Sequence, residues 1–126
     1  MKRLVNPLWL VLALCLFVVA CESKKEGAKP AGDAGLMSPA GSAGRMDNDE
    51  GVGHYKQGHW DVAEGHFRKA IKADDKLAEA HYNLGLTLDK MGKHEDATAS
   101  FKKAAEFASA SSGIKDSVIL KEHIGK

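Results

Sequence analysis

Seven residue identities recur in this chain at a fixed spacing of 34: Gly51 with Gly85, Lys56 with Lys90, Gly58 with Gly92, Ala63 with Ala97, Phe67 with Phe101, Lys69 with Lys103 and Ala70 with Ala104. They are mainly small and aromatic residues, the types that decide how closely helices approach. A constant period of this length marks a stacked array in which each unit needs a neighbour to bury its apolar side. Within the period the sequence reads as helices. Asp47-Asn48-Asp49-Glu50 has the form of a capping box and is expected to open a first helix that ends near Gly58. A second is expected from Trp60 to Ala73, a third from Lys76 to Met91 and a fourth from His94 to Ala108. Gly58 and Gly92 close the first helix of each pair, where a left-handed residue costs glycine little. Leu77, His81, Leu84, Leu88 and Met91 form one apolar stripe at three- and four-residue steps, and Ala97, Phe101, Ala104 and Ala108 form another.

The period and its residue types resemble the tetratricopeptide repeat. In the second copy, residues 78–111, Leu84-Gly85 match the family's Leu-Gly pair, Ala97 and Phe101 its Ala-x-x-x-Phe step, and Ala104 the next small position. Leu88 stands where Tyr is usual, His81 replaces the usual Trp, and Ser109 replaces the closing Pro. The first copy, 44–77, matches through Gly51, Ala63, Phe67 and Ala70, while Asp47, Glu50 and His54 replace the usual Trp, Leu and Tyr. The resemblance implies an all-α fold of the α-solenoid type, with two helical hairpins and a C-terminal capping helix over 112–126. It also implies a protein–protein interaction scaffold and no enzyme.

Glu79, Tyr82, Asn83, Leu86, Asp89 and Lys90 recur on the side of the third helix away from its stripe. Their equivalents in the first helix are Arg45, Asn48, Asp49, Val52, Tyr55 and Lys56. In the family this side lines a concave groove that grips an extended peptide or a partner helix. The groove residues implied here are Asn48, Val52, Tyr55, Lys56, Glu79, Tyr82, Asn83, Leu86, Asp89 and Lys90. Tyrosine supplies rigid contact area, and asparagine can bond a peptide backbone. Some family members clamp a C-terminal carboxylate with three successive repeats. Asn48 and Asn83 are present for this, but Gly113 and Ser117 fall where a third basic set would stand, so that clamp is not expected. Residues 112–126 read as a lid with Ile114, Val118, Ile119, Leu120 and Ile124 spread over more than half a helical circumference. That surplus is expected to pack on a partner or a second copy, making a homo-oligomer possible.

Ahead of the repeats the chain changes character. Lys2 and Arg3 precede an apolar run from Leu8 to Ala20 that is too short to span a bilayer. The run ends Val18-Val19-Ala20-Cys21, which resembles the lipobox of bacterial lipoproteins. That resemblance implies a signal peptide over 1–20 and a Cys21 carrying a covalent lipid, with no other cofactor. Two or more acyl chains hold a protein stably to a membrane. Glu22 follows in place of an inner-membrane-retaining Asp, which implies the outer membrane of the cell envelope with the domain facing the periplasm. Residues 22–46 are rich in Gly, Ala, Ser, Pro and Lys, and with Cys21 are expected to form a disordered tether before the repeat domain at 47–126.

Several chemistries are excluded. The 126 residues carry 18 Lys and Arg against 17 Asp and Glu, and without residues 1–20 the balance is 16 against 17, so there is no basic footprint for nucleic acid. The two cysteines, Cys15 and Cys21, lie in or at the end of the signal and give no disulfide framework. No phosphate loop or nucleophile elbow appears. His54, His59 and His66 are spaced by five and seven, not the three or four that pairs ligands on one helical face, so no metal site is expected from them. A histidine-based metal or ligand module, or a purely structural self-assembling array, are the alternatives to an interaction scaffold.

Overall fold

A computed structural model describes residues 31–125. Among these the chain is all helical: α1 (Arg45–Lys56), α2 (Trp60–Ala73), α3 (Ala78–Lys90), α4 (His94–Phe107), a 3-10 turn (Ile114–Asp116) and α5 (Val118–Ile124). The signal, Cys21 and the first part of the tether fall outside the described residues. Helices α1 and α2 form one antiparallel hairpin and α3 and α4 a second. The hairpins stack through α2 and α3, and α5 closes the far side against α4. None of the described helices is long and apolar enough to cross a membrane.

The 34-residue period has a direct physical meaning. A Cβ on Gly51 would lie 2.6 Å from the Phe67 ring, and one on Gly85 would lie 2.7 Å from the Phe101 ring. Each hairpin therefore closes by setting a phenyl face on a bare backbone. Phe67, Phe101, Ala63, Ala97, Ala70 and Ala104 are all fully buried around these two contacts. The turns repeat as well. Gly58 and Gly92 take φ of +78° and +75°. Beyond them, His59 N–H donates to the His54 carbonyl at 3.0 Å and Lys93 N–H to the Leu88 carbonyl at 2.9 Å, the closing bond of a Schellman motif. Glu64 on α2 ties the hairpins together, accepting from Arg68 at 2.8 Å and from Lys93 at 3.1 Å. Burial pushes its carboxyl up, but the hydrogen bonds and charges of Arg68 and Lys93 outweigh that and leave it below the usual value.

Four details differ from the sequence reading. Helix α1 begins at Arg45 rather than Asp47, and Gly44 precedes it without a side-chain cap. Asp47 and Glu50, the pair read as the capping box, cap nothing and instead face His66 Nδ1 at 3.7 and 3.4 Å. Helix α3 begins at Ala78 rather than Lys76, because Asp74 Oδ1 accepts from Lys76 N–H at 3.1 Å and holds a turn there. The lid is a 3-10 turn followed by a short helix, with Gly113 at φ +69° before it. Ile114 and Leu120 are buried, and Ile119 and Ile124 pack at the core's edge, which leaves Val118 at 66% exposed as the lid's outward apolar residue. The wide apolar surplus is thus largely absorbed within the chain.

The largest difference concerns the tether. Residues 31–38 do not stay clear of the domain but lie across its concave face. Their ordering entropy is offset by a set of hydrogen bonds that composition alone does not reveal.

Candidate functional site

The concave face is built by α1 and α3. Asn48 and Asn83 sit side by side on it, with Asn83 Nδ2 donating to Asn48 Oδ1 at 2.8 Å. Both are fully buried, and what covers them is the backbone of Leu36. Leu36 N–H donates to Asn83 Oδ1 at 2.7 Å, while its carbonyl accepts from Asn83 Nδ2 at 2.7 Å and from Asn48 Nδ2 at 2.8 Å. One asparagine therefore reads both the donor and the acceptor of a peptide backbone. Its orientation is fixed by that pairing, since a flipped amide would set donor against donor and acceptor against acceptor.

The rest of the segment is pinned on either side. Ala31 N–H donates to the Gly113 carbonyl at 3.0 Å, at the array's C-terminal end. Ser38 N–H donates to Asp49 Oδ1 at 3.0 Å on α1. Between them, the Tyr82 hydroxyl lies 3.0 Å from the Gly32 carbonyl and 2.7 Å from Ser117 Oγ, which itself accepts from Leu120 N–H. This chain of bonds links the cap of α5 through Tyr82 to the segment. Gly35 has φ +78°, and a Cβ there would lie 3.3 Å from Val52 Cγ2 and 3.7 Å from Asn83 Oδ1. Both the backbone angle and the close approach call for glycine.

Of the residues expected to line the groove, Asn48, Val52, Tyr82 and Asn83 meet the segment directly. Tyr55 and Leu86 are buried in the core that supports it. Tyr55 packs edge-on to Trp60 at 5.0 Å, and its hydroxyl has no hydrogen-bond partner among the described residues. Burial, reinforced by the charge of Asp33 in the segment, pushes its phenol up to about 12. Burial also raises Tyr82, with the Ser117 hydrogen bond working against it. Lys56 and Lys90 stay exposed and Glu79 is half-buried, and the side-chain bonds to the segment come from other residues. Asp89 turns away to His94 and His123. The sequence reading missed the segment itself, together with Ser117 and His123. Leu36-Met37, an apolar pair after a glycine within a polar stretch, is the one signal that marks the segment.

A separate cleft of about 390 Å3 lies between α2, α3 and α4, where Arg68, Lys72 and Lys103 accompany Ile71 and Leu84. His81 borders it, fixed by a 2.8 Å contact between Nε2 and the Asp75 carbonyl.

The family model of the tetratricopeptide repeat matches residues 78–109. The second hairpin is similar to a tetratricopeptide repeat. The match takes in α3 and α4 whole, including Gly85 and Phe101. The first hairpin lies outside the matched stretch but repeats the same glycine-on-phenyl contact and the same turn. Tetratricopeptide hairpins act as protein–protein interaction modules and are generally non-catalytic. No curated protein and no solved structure matches the chain.

Proposed function

We propose that this chain is a membrane-anchored interaction module that docks an extended partner segment in its concave groove. The observation that carries the reading is the grip of Asn83 on both polar groups of the Leu36 backbone, with Asn48 on the same carbonyl. That grip recognises an extended backbone without regard to most side chains. The site adds two requirements: a residue able to take positive φ over Val52, and an apolar residue after it. The partner is a peptide of that chemistry, small and flexible and then apolar, and it takes the place of residues 31–36.

The resident segment sets the threshold for such a partner. It is joined to α1 by only a short linker, so it competes at an effective concentration on the order of millimolar. A partner binds only by contacting more of the groove than the resident does, for example by reaching Lys56, Lys90 and Glu79 on its open margin. The lipobox resemblance at Cys21 supports the anchor and a position on the periplasmic side of a bacterial envelope, and Glu22 supports the outer membrane. The lipid on Cys21 is then a covalent modification of the chain.

The docking claim is tested with a labelled peptide, Ala-Gly-Asp-Ala-Gly-Leu-Met-Ser, added to the chain. Gly35→Val ejects the resident segment, so this variant binds the peptide more tightly than wild type, and adding Asn83→Ala removes the binding. An opened groove that ignores the peptide would refute the reading. Mass spectrometry of Cys21 tests the anchor separately, since a bare thiol in the mature protein would exclude it.

A further inference from the structure

Three side chains from three different elements converge at the end of the second hairpin, away from the groove. Asp89 stands in the last turn of α3, His94 opens α4 across the Gly92 turn, and His123 comes from α5. His94 Nδ1 lies 2.9 Å from Asp89 Oδ1, and His123 Nε2 lies 3.1 Å from the same oxygen. All three ligand atoms fall within 4.8 Å of one another. A tetrahedral zinc ion with ligands at about 2.0–2.1 Å spaces its donors about 3.3 Å apart, so the cluster needs only small shifts to close on one.

We propose that Asp89, His94 and His123 form a binding site for a divalent cation of the zinc type. Two imidazoles and one carboxylate are a donor set for zinc, nickel or copper rather than for magnesium or calcium, which take oxygen. The surroundings suit the role. Among the described residues Asp89 pairs with no lysine or arginine, and neighbouring Lys93 turns its ammonium to Glu64. The His123 ring is held by the Phe101 ring at 4.9 Å, so its nitrogen is aimed before any ion arrives. His123 and Asp89 are 18% and 31% exposed, whereas His94 is 70% exposed, which leaves a solvent side for ion entry and a water ligand. A bound ion would staple the short α5 to the α3–α4 turn.

A second cluster on the first hairpin lacks this character. His66 Nδ1 lies 3.7 Å from Asp47 and 3.4 Å from Glu50, so it offers one imidazole with two carboxylates at longer range. It serves as an internal control.

The test is calorimetric titration of the tag-free full chain with zinc chloride, with cobalt as a spectroscopic substitute. One equivalent is expected, with affinity falling at least tenfold in His94→Ala and in His123→Ala and staying unchanged in His66→Ala. The exposed His94 side chain can be removed without disturbing the core, so that variant isolates the ion's contribution. Zinc is expected to raise the melting temperature of wild type and not of His94→Ala. Absence of stoichiometric heat, binding that follows His66→Ala, or cobalt without visible bands of four-coordinate geometry would each overturn the proposal.

Discussion

The two hairpins use one local code and end in different environments. Both close by glycine on phenylalanine, and both turn on a left-handed glycine. Yet α3 is buried from Ala80 through Leu88, whereas α1 buries Asn48, Gly51, Val52 and Tyr55 only. The neighbours account for the difference. Helix α3 has α1 and α2 on one side, α4 and the 3-10 turn on the other, and residues 31–38 across its concave face. Helix α1 has no hairpin before it among the described residues. A repeat's sequence therefore fixes how it folds on itself, while its place in the array fixes which polar residues end up covered. This explains why Tyr82 and Asn83 are sealed in, while Arg45 and Met46 at the start of α1 stay exposed.

Substitutions can probe this inequality. The largest effect is expected from Phe101→Ala, which empties a fully buried site bordered by the Tyr82 and His123 rings. It should cost about 3–5 kcal/mol, with Phe67→Ala at the lower end because the outer hairpin can relax into open space. Denaturant midpoints at constant slope measure both, and equal losses would erase the distinction between the hairpins. Next come Gly85→Ala and Gly51→Ala, each forcing a methyl into a phenyl ring. Overpacking of this kind costs about 1–3 kcal/mol, again more in the central hairpin.

Tyr82→Phe removes the hydroxyl between Ser117 and the Gly32 carbonyl. A loss of about 1 kcal/mol is expected, with faster amide exchange at Leu120 and in residues 31–38. Tyr55→Phe is the smallest change at neutral pH, because the Tyr55 hydroxyl has no partner to lose. Its effect appears in alkali. An unfolded tyrosine ionises near 10, while the folded Tyr55 holds its proton to about 12, so stability is full below 10 and declines as pH rises through 12. Tyr55→Phe should flatten part of that decline and leave the portion due to Tyr82, which is raised in the same direction. An unchanged alkaline profile would show that Tyr55 is not sealed by the segment and by Trp60.

The sequence carried the hairpins well, because their signals are local. Phe67 and Phe101, Gly58 and Gly92, and the bounds of α2 follow from period and residue type. Of the groove residues expected from helical spacing and family resemblance, Tyr55 and Leu86 lie in the core and Asp89 turns to His94 and His123, whereas Asn48, Val52, Tyr82 and Asn83 meet residues 31–38. What spacing could not supply was their occupant. Residues 31–38 have no periodicity, and their order depends on bonds to Asn83, Asp49, Tyr82 and Gly113 that lie up to 82 positions away. The histidines show the same limit. His94 and His123 meet at Asp89 only because α5 folds back over α4, a relation invisible to a count of residues along one helix.

Hydrogen exchange at the amides of Leu36 and Ser38 tests the central claim most directly. A concave face that holds the backbone of residues 31–38 protects both in wild type, with Leu36 losing protection in Asn83→Ala and Ser38 in Asp49→Ala. Exchange at the rate of an unstructured peptide in wild type would contradict the account.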